Sequence, residues 1–407
     1  MTSKTSYSMP ADMITGRDFV IVGQQPWDEG IGSNCRNIAL EFSKHNRVLY
    51  VNSALNRITL LREKTEPRVQ RRLAVINGKE KGLVSIQPDL WNLYPSCITE
   101  SINQVKVRPL YNVLNKRNNR LYAQSIHKAT DELGFKNIIL FNDNDIFGSF
   151  YLKELLRPAV SIYYSRDYMI ADGYWKYHGE VLEPQLIAKS DLCVANSTYL
   201  ASYCRKYNPH SYNVGQGCEL DIFTNATGGA KPSDMVGIPG PVVGYVGVMQ
   251  TNRLDIEILA HVAEHLPHMN IVLVGPEDEE FKASRLHAIK NIHFLGPKPP
   301  TELPAYINSF EVCLNPQLVN QTTIGNYPRK IDEYLAIGKP VVATATEAMT
   351  FFAEHTYLAK TKEDYVQLIQ QALAEDNNTL HAQRSAFASS HTWENSVKEI
   401  YKAINAI

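Results

Sequence analysis

The chain has 407 residues, more than one hydrophobic core usually organises, so two domains are expected. Charged residues make up 20% and the formal net charge is -1, which excludes a globally basic nucleic-acid binder and an acidic solvating tail. No run of about 18 apolar residues occurs, so no bilayer-spanning helix is expected.

The opening MTSKTSYSMPADMITGRD is polar and lacks the apolar centre of a secretory leader. The six cysteines, Cys35, Cys97, Cys193, Cys204, Cys218 and Cys313, form no CxxC pair and no zinc-like spacing with histidine. They read as reduced thiols of a cytoplasmic protein, and no metal site is expected.

Short β-branched runs then alternate with helical stretches. The strand candidates of the first half are Asp18–Gly23, Arg47–Asn52, Leu83–Gln87, Asn137–Asn142, Val160–Ser165, Asp191–Asn196 and Ser211–Gly215. Helical stretches are expected around Ser33–His45, Val105–Leu133, Glu180–Lys189 and Thr198–Tyr207. Apolar runs joined by amphipathic helices mean βαβ units and a parallel sheet covered on both faces.

Two segments of this half are basic. Asn56–Gly82 carries Arg57, Arg62, Lys64, Arg68, Arg71, Arg72, Lys79 and Lys81. Between Val105 and Lys128 there is no acid but six further Lys and Arg. They read either as solvated helix faces or as a face that meets an anionic membrane surface from the cytoplasmic side.

Thr224–Pro241 is rich in Gly, Pro, Ser and Thr and reads as a boundary. After it the alternation restarts, with strands at Val242–Gly247, Asn270–Gly275, Asn291–Gly296, Phe310–Asn315 and Pro340–Thr344. The expected organisation is a first domain over 1–228, a linker over 229–241, a second domain over 242–385 and a last helical segment over 386–407. Two parallel α/β domains imply ligands at the carboxyl ends of the strands, in a cleft between them.

The most informative segment is PRKIDEYLAIGKPVVAT, Pro328–Thr344. Pro328 opens a helix, Lys330 and Glu333 project from one face three residues apart, and Gly338 ends it before a buried strand. Free helical N–H groups and Lys330 suit a diphosphate, and the Glu333 carboxylate suits ribose hydroxyls. On the residues alone, a helix that merely packs on its sheet is an equal reading.

EYLAIGKPVVAT resembles the donor-binding signature of GT-B glycosyltransferases of group 1, E-A-x-A-x-G-x-P-V-V. Gly244–Leu259, Ile271–Glu280 and Asn291–Ile307 resemble the strands and loops that precede it in that family, in the same order. The resemblance implies an α/β fold of two Rossmann-like parallel-sheet domains facing a cleft. It also implies a nucleotide-sugar donor, with UDP- or GDP-sugars foremost, as co-substrate and no separate cofactor. Glu333 would contact the ribose and Lys330 the diphosphate. Arg253, Gly247, Gly275 and Pro328 complete the expected donor site, although Arg253 could equally pair with Asp255 or Glu257. One departure stands out. Retaining members carry a first glutamate eight positions before the second, and here that position is Gly325.

The acceptor is expected in the first domain, as a glycan or a lipid-linked glycan of surface polysaccharide assembly. Gly30 and Gly32 do not complete G-x-G-x-x-G, which argues against a dinucleotide. In the family the loop holding them, with Asp28 and Glu29, lines the cleft. Candidate bases for the acceptor hydroxyl are Asp167 in YYSRDY, then Asp145 in FNDNDIF, then His178, each of which could instead be a turn or cap residue. The Asp143-Asn144-Asp145 triplet matches a metal-holding D-x-D, but in the wrong fold. The resemblance implies a metal-independent hexosyltransferase. The alternatives are a non-hydrolysing nucleotide-sugar epimerase and a non-catalytic sugar-nucleotide-binding subunit.

Overall fold

The computed structural model describes residues 13–28, 33–171, 173–224 and 230–407. Glu29, Gly30, Gly32 and the start of the expected linker lie outside the described residues. The chain divides into two compact units, one of residues 1–196, 200–215 and 393–407, the other of 197–199 and 216–392.

In the first unit the chain runs β1 (Asp18–Gly23), α1 (Asn34–Phe42), β2 (Arg47–Val51), β3 (Leu55–Asn56), α2 (Arg57–Arg62), α3 (Pro67–Ile76), β4 (Leu83–Gln87), β5 (Leu90–Leu93) and β6 (Ile98–Thr99). It continues through α4 (Arg108–Leu133), β7 (Ile139–Asp143), α5 (Leu152–Leu156), β8 (Val160–Ser165), α6 (Gly173–Lys189), β9 (Leu192–Ala195), α7 (Thr198–Arg205) and β10 (Ser211–Asn213). The main sheet has the order β10-β9-β8-β7-β1-β2-β5-β4. All its pairings are parallel except β4 with β5. β1, β2 and β7 are almost wholly buried, as a sheet covered on both faces requires.

The second unit runs α8 (Asp221–Thr224), β11 (Val242–Val246), α9 (Ile256–His265), β12 (Asn270–Val274), α10 (Glu279–Lys282), β13 (Ile292–Gly296), α11 (Leu303–Asn308) and β14 (Val312–Asn315). It ends with α12 (Arg329–Ala336), β15 (Val341–Thr344), β16 (Tyr357–Ala359), α13 (Lys362–Glu375) and α14 (Asn378–Ser389). Its sheet is parallel throughout, in the order β13-β12-β11-β14-β15-β16. Between β12 and β13 the short α10 is followed by a separate 3-10 turn at Arg285–Ala288.

The first unit ends at residue 215, not 228. The reason is packing: Cys218, Leu220 and Phe223 are buried with Met235 and Ile238 in the same cluster as Tyr334 and Leu335 of α12. The last helix, α15 (Trp393–Asn405), belongs to the first unit. Trp393, Val397, Ile400, Tyr401 and Ile404 are buried there with Phe42, and the Tyr401 hydroxyl accepts from Asn46 at 2.9 Å.

Candidate functional site

Each sheet has one point where the strand order turns back on itself, and there the loops diverge to leave a crevice at the carboxyl edge. In the second unit it lies between β11 and β14, and in the first between β1 and β7.

At the second unit's switch point β11 and β12 end in Gly247 and Gly275, both at φ 147°, a backbone open in practice only to glycine. A Cβ on Gly275 would stand 2.0 Å from the Gly247 carbonyl oxygen. One on Gly247 would stand 2.8 Å from Lys330 Nζ. The two strand ends therefore pack backbone against backbone, and the Lys330 ammonium lies against Gly247.

Lys330 comes from the first turn of α12, which Pro328 caps. Its Nζ donates to the Tyr245 hydroxyl and lies 4.2 Å from that ring's centroid. Tyr245 had escaped the sequence reading; it fixes the lysine beside Gly247. Glu333, one turn on, is half-buried, and among the described residues no hydrogen bond or ion pair is recorded for its carboxylate. Burial pushes its pKa up, Arg329 and Lys330 oppose that, and Asp332 adds to it.

Arg253 is exposed in the loop before α9. The pairings that sequence allowed for it are not made. Asp255 caps α9 by accepting from Glu257 and Ile258 N–H groups, and Glu257 pairs with Arg285 at 2.7 Å. Its loop is stitched to the loop after β14: Leu318 N–H donates to the Arg253 carbonyl at 2.8 Å, and Asp255 N–H to Pro316 at 2.9 Å. Gly247, Gly275, Lys330 and Arg253 thus all belong to loops or helix starts at one sheet edge. Beneath α12, Asp332 is fully buried, held by His391 Nδ1 at 2.6 Å and by the Cys218 thiol at 3.2 Å. This trio, invisible in sequence, pins the helix that carries Lys330 and Glu333. At Gly325, the carbonyl oxygen accepts from the Ser197 hydroxyl at 2.8 Å.

In the first unit, Asp143 ends β7 fully buried and takes Arg166 Nε at 2.9 Å. Arg166 also reaches Asp167 Oδ2 at 3.0 Å, so one guanidinium bridges two carboxylates. Burial pushes the Asp143 carboxyl up and Arg166 pulls it back. Asn144, in the left-handed region at φ 55°, accepts from the Arg166 and Asp167 N–H groups at 2.8 and 3.1 Å. Behind it, Asn144 donates to the Tyr163 hydroxyl, which donates to buried Glu183 at 2.7 Å. Tyr203 donates to the other Glu183 oxygen at 3.1 Å.

The three candidate bases fare differently. Asp167 stands at the carboxyl edge with its side chain 44% accessible. Asp145 is occupied as a turn cap, accepting from Gly148 N–H at 2.9 Å and the Ser149 hydroxyl at 2.8 Å, with burial pushing its pKa up. It still forms part of a pocket wall. His178 is buried, stacked on Tyr111 with centroids 3.7 Å apart, and lines a separate cavity of about 170 Å³ with Arg108 and Gln185. Burial pushes its pKa down. The three are not gathered in one pocket: Asp145 lines a larger one, His178 this separate cavity, and Asp167 neither.

The pocket that Asp145 lines measures about 710 Å³. Gln24, Ser53 and Asp145 come from the ends of β1, β2 and β7; Asn56, Asn118 and Trp175 close the sides. The Trp175 ring stacks on Phe147 at 5.0 Å. Amides, hydroxyls and the rings of Trp175 and Tyr174 form a surface suited to a polyhydroxylated ring.

Comparison with known proteins agrees on the class. The fold is GT-B, two Rossmann-like α/β units. Sucrose-phosphate synthase from Thermosynechococcus elongatus superposes at TM-score 0.63 over 96% of this chain and 99% of that one, at 14% identity. Anabaena Alr3699/HepE, solved in complex with UDP, also gives 0.63, over 96% and 100%, at 14% identity.

Residues 240–375, within the second unit, match the family described as Glycosyl transferases group 1. TuaH of Bacillus subtilis (strain 168), whose name describes a teichuronic acid biosynthesis glycosyltransferase, is 24% identical over 232 residues. That alignment covers 54% of this chain and 58% of TuaH, so the chain spans less than two thirds of that relative. Among the described residues no helix is long and apolar enough to cross a membrane.

Proposed function

We propose that the chain is a glycosyltransferase that moves a sugar from a nucleoside diphosphate sugar, UDP- or GDP-linked, to a glycan or lipid-linked glycan in surface polysaccharide synthesis. The observation that carries this is the cluster at the β11/β14 switch point: two glycine strand ends without side chains, the Lys330 ammonium against them, and an unengaged Glu333 one helical turn away. The bound UDP of HepE and the biosynthetic role in TuaH's name support the donor class and the setting.

Residue roles follow from charge and reach. Lys330, Arg253 and the positive end of the α12 dipole take the growing charge of the leaving diphosphate without a metal. Glu333 accepts both ribose hydroxyls, and the backbone at Gly247 and Gly275 lets the diphosphate approach. In the first unit the amide-rich pocket holds the acceptor. Asp167 takes the proton of the attacking hydroxyl, held in orientation by Arg166 and Asn144.

The test is nucleotide release. The chain is incubated with UDP- and GDP-sugars, with and without a panel of glycan and lipid-linked acceptors. Release that needs both donor and acceptor supports the proposal. Conversion of the donor alone would favour an epimerase, and tight donor binding without turnover on any acceptor would favour a binding subunit.

A further inference from the structure

The face around the mouth of the 710 Å³ pocket is apolar where a water-facing surface should not be. Leu61 of α2 is 76% exposed. At the start of α4, Val107, Leu110 and Val113 are 62%, 50% and 68% exposed. Their spacing of three puts them on one helical face, and Arg117 and Arg120 continue it. The opposite face of α4 carries its buried residues, among them Tyr111, Asn115 and Tyr122. Tyr174 and Tyr177 at the start of α6 add two exposed rings with polar tips.

These elements are joined to each other. Arg57 of α2 and Arg117 of α4 share Glu100, at 2.8 and 3.5 Å. The Tyr177 hydroxyl donates to the Lys106 carbonyl at 3.1 Å, and Lys106 Nζ lies 4.1 Å from that ring's centroid. Ile58, Arg62 and Tyr174 line the pocket itself, so the apolar rim and the mouth are one surface.

The charges of that rim have one sign in excess. Arg62, Lys106, Arg108, Lys116, Arg120 and Lys176 are exposed and stand among the apolar residues. Of the acids nearby, Glu100 is taken by Arg57 and Arg117, and Glu63 by Arg68. Glu180 of α6 remains exposed. Apolar and tyrosine side chains amid lysine and arginine match the headgroup zone of an anionic bilayer, where apolar groups enter the acyl boundary and cations meet phosphate.

We propose that this face docks on an anionic lipid bilayer and sets the pocket mouth against the membrane surface, so that the acceptor sugar enters while its lipid stays in the leaflet. The lipid-linked acceptor rests on the transferase reading; the docking does not.

The test is sedimentation of the full chain with sucrose-loaded vesicles, either phosphatidylcholine alone or with about 30% phosphatidylglycerol. Binding is expected on the anionic vesicles, at least tenfold weaker on the neutral ones and in about 0.5 M salt, because the charges are exposed and screened. The triple variant Leu61→Ser/Leu110→Ser/Val113→Ser should also lose about tenfold, with its melting temperature unchanged because all three side chains face solvent. No binding of the wild type to anionic vesicles, or wild-type binding by the triple variant, would overturn the proposal. So would a dimer that the triple variant breaks, seen without vesicle binding, since the face would then meet a second copy. UDP binding measured on the same samples separates failure of the docking from failure of the donor reading.

Discussion

Replacing Glu183 by glutamine should abolish one component of the protein's pH-dependent stability. Glu183 is fully buried, and its surroundings raise its pKa from 4.5 to about 7, chiefly by burial, with Tyr163 and Tyr203 opposing through their hydrogen bonds. The unfolded chain ionises this carboxyl near 4.5 and the folded chain near 7. Between those values unfolding releases a proton, so stability is full below the unfolded pKa and declines as pH rises through the folded one. At about 1.4 kcal/mol per pKa unit, the loss reaches about 3 kcal/mol above pH 7. Over a working range from about pH 5 to about pH 8 the expected change is about 2 kcal/mol. Glu183→Gln keeps one acceptor and one donor for the two tyrosines and cannot ionise. Its stability relative to wild type should therefore rise by about 2 kcal/mol across that range. All four tryptophans, Trp27, Trp91, Trp175 and Trp393, lie in the first unit, so urea unfolding followed by tryptophan fluorescence reports the unit that holds Glu183. Parallel stability–pH curves for the two proteins would refute the argument, because they would mean that the carboxyl ionises alike folded and unfolded.

Lys330→Met should raise the dissociation constant for UDP about 10- to 100-fold, the effect of about 1.5–3 kcal/mol for a hydrogen bond to a charged group, as read by calorimetry. Gly275→Ala places a methyl 2.0 Å from a carbonyl oxygen at a φ that alanine rarely adopts, so the second unit should lose at least about 2 kcal/mol, seen as a lower melting temperature in scanning calorimetry. Asp167→Asn should cut turnover on any working acceptor by at least about 100-fold while leaving UDP affinity within about twofold, a split that initial rates and calorimetry together resolve.

Much of the architecture could be read from residue order. Buried parallel strands are continuous β-branched runs, and β1 and β8 begin and end where the runs do, as does the exposed, antiparallel β4. β5 was missed because Leu-Trp-Asn-Leu has no such run. It exists because Asp89, at φ 60°, turns the chain back on β4, and because it pairs with β2, whose following Asn52 donates to Asn92. In the sequence α2 and α3 read only as basic stretches, since α2 buries none of its residues and offers little apolar period.

The donor side was legible through Lys330 and Glu333 because helix spacing alone brings them to one face. Tyr245 and the Cys218–Asp332–His391 trio were not, because sequence separations of 85 and 59 or more residues carry no local signal. On the acceptor side the strand-end position of Asp167 was readable. The capping of Asp145, the aromatic stacking of His178 and the bridging by Arg166 are tertiary facts that no spacing announces.

On this reading a sugar nucleotide rests on the β11/β14 switch point against α12. Titration calorimetry of UDP into wild type and Glu333→Ala, with free phosphate and uridine as controls, tests it most directly. Saturable UDP binding is expected of the wild type, at least about tenfold weaker in the variant, with uridine weaker than UDP and losing affinity in the same substitution. Equal UDP affinity in the two proteins would contradict it, since the ribose would then lie elsewhere.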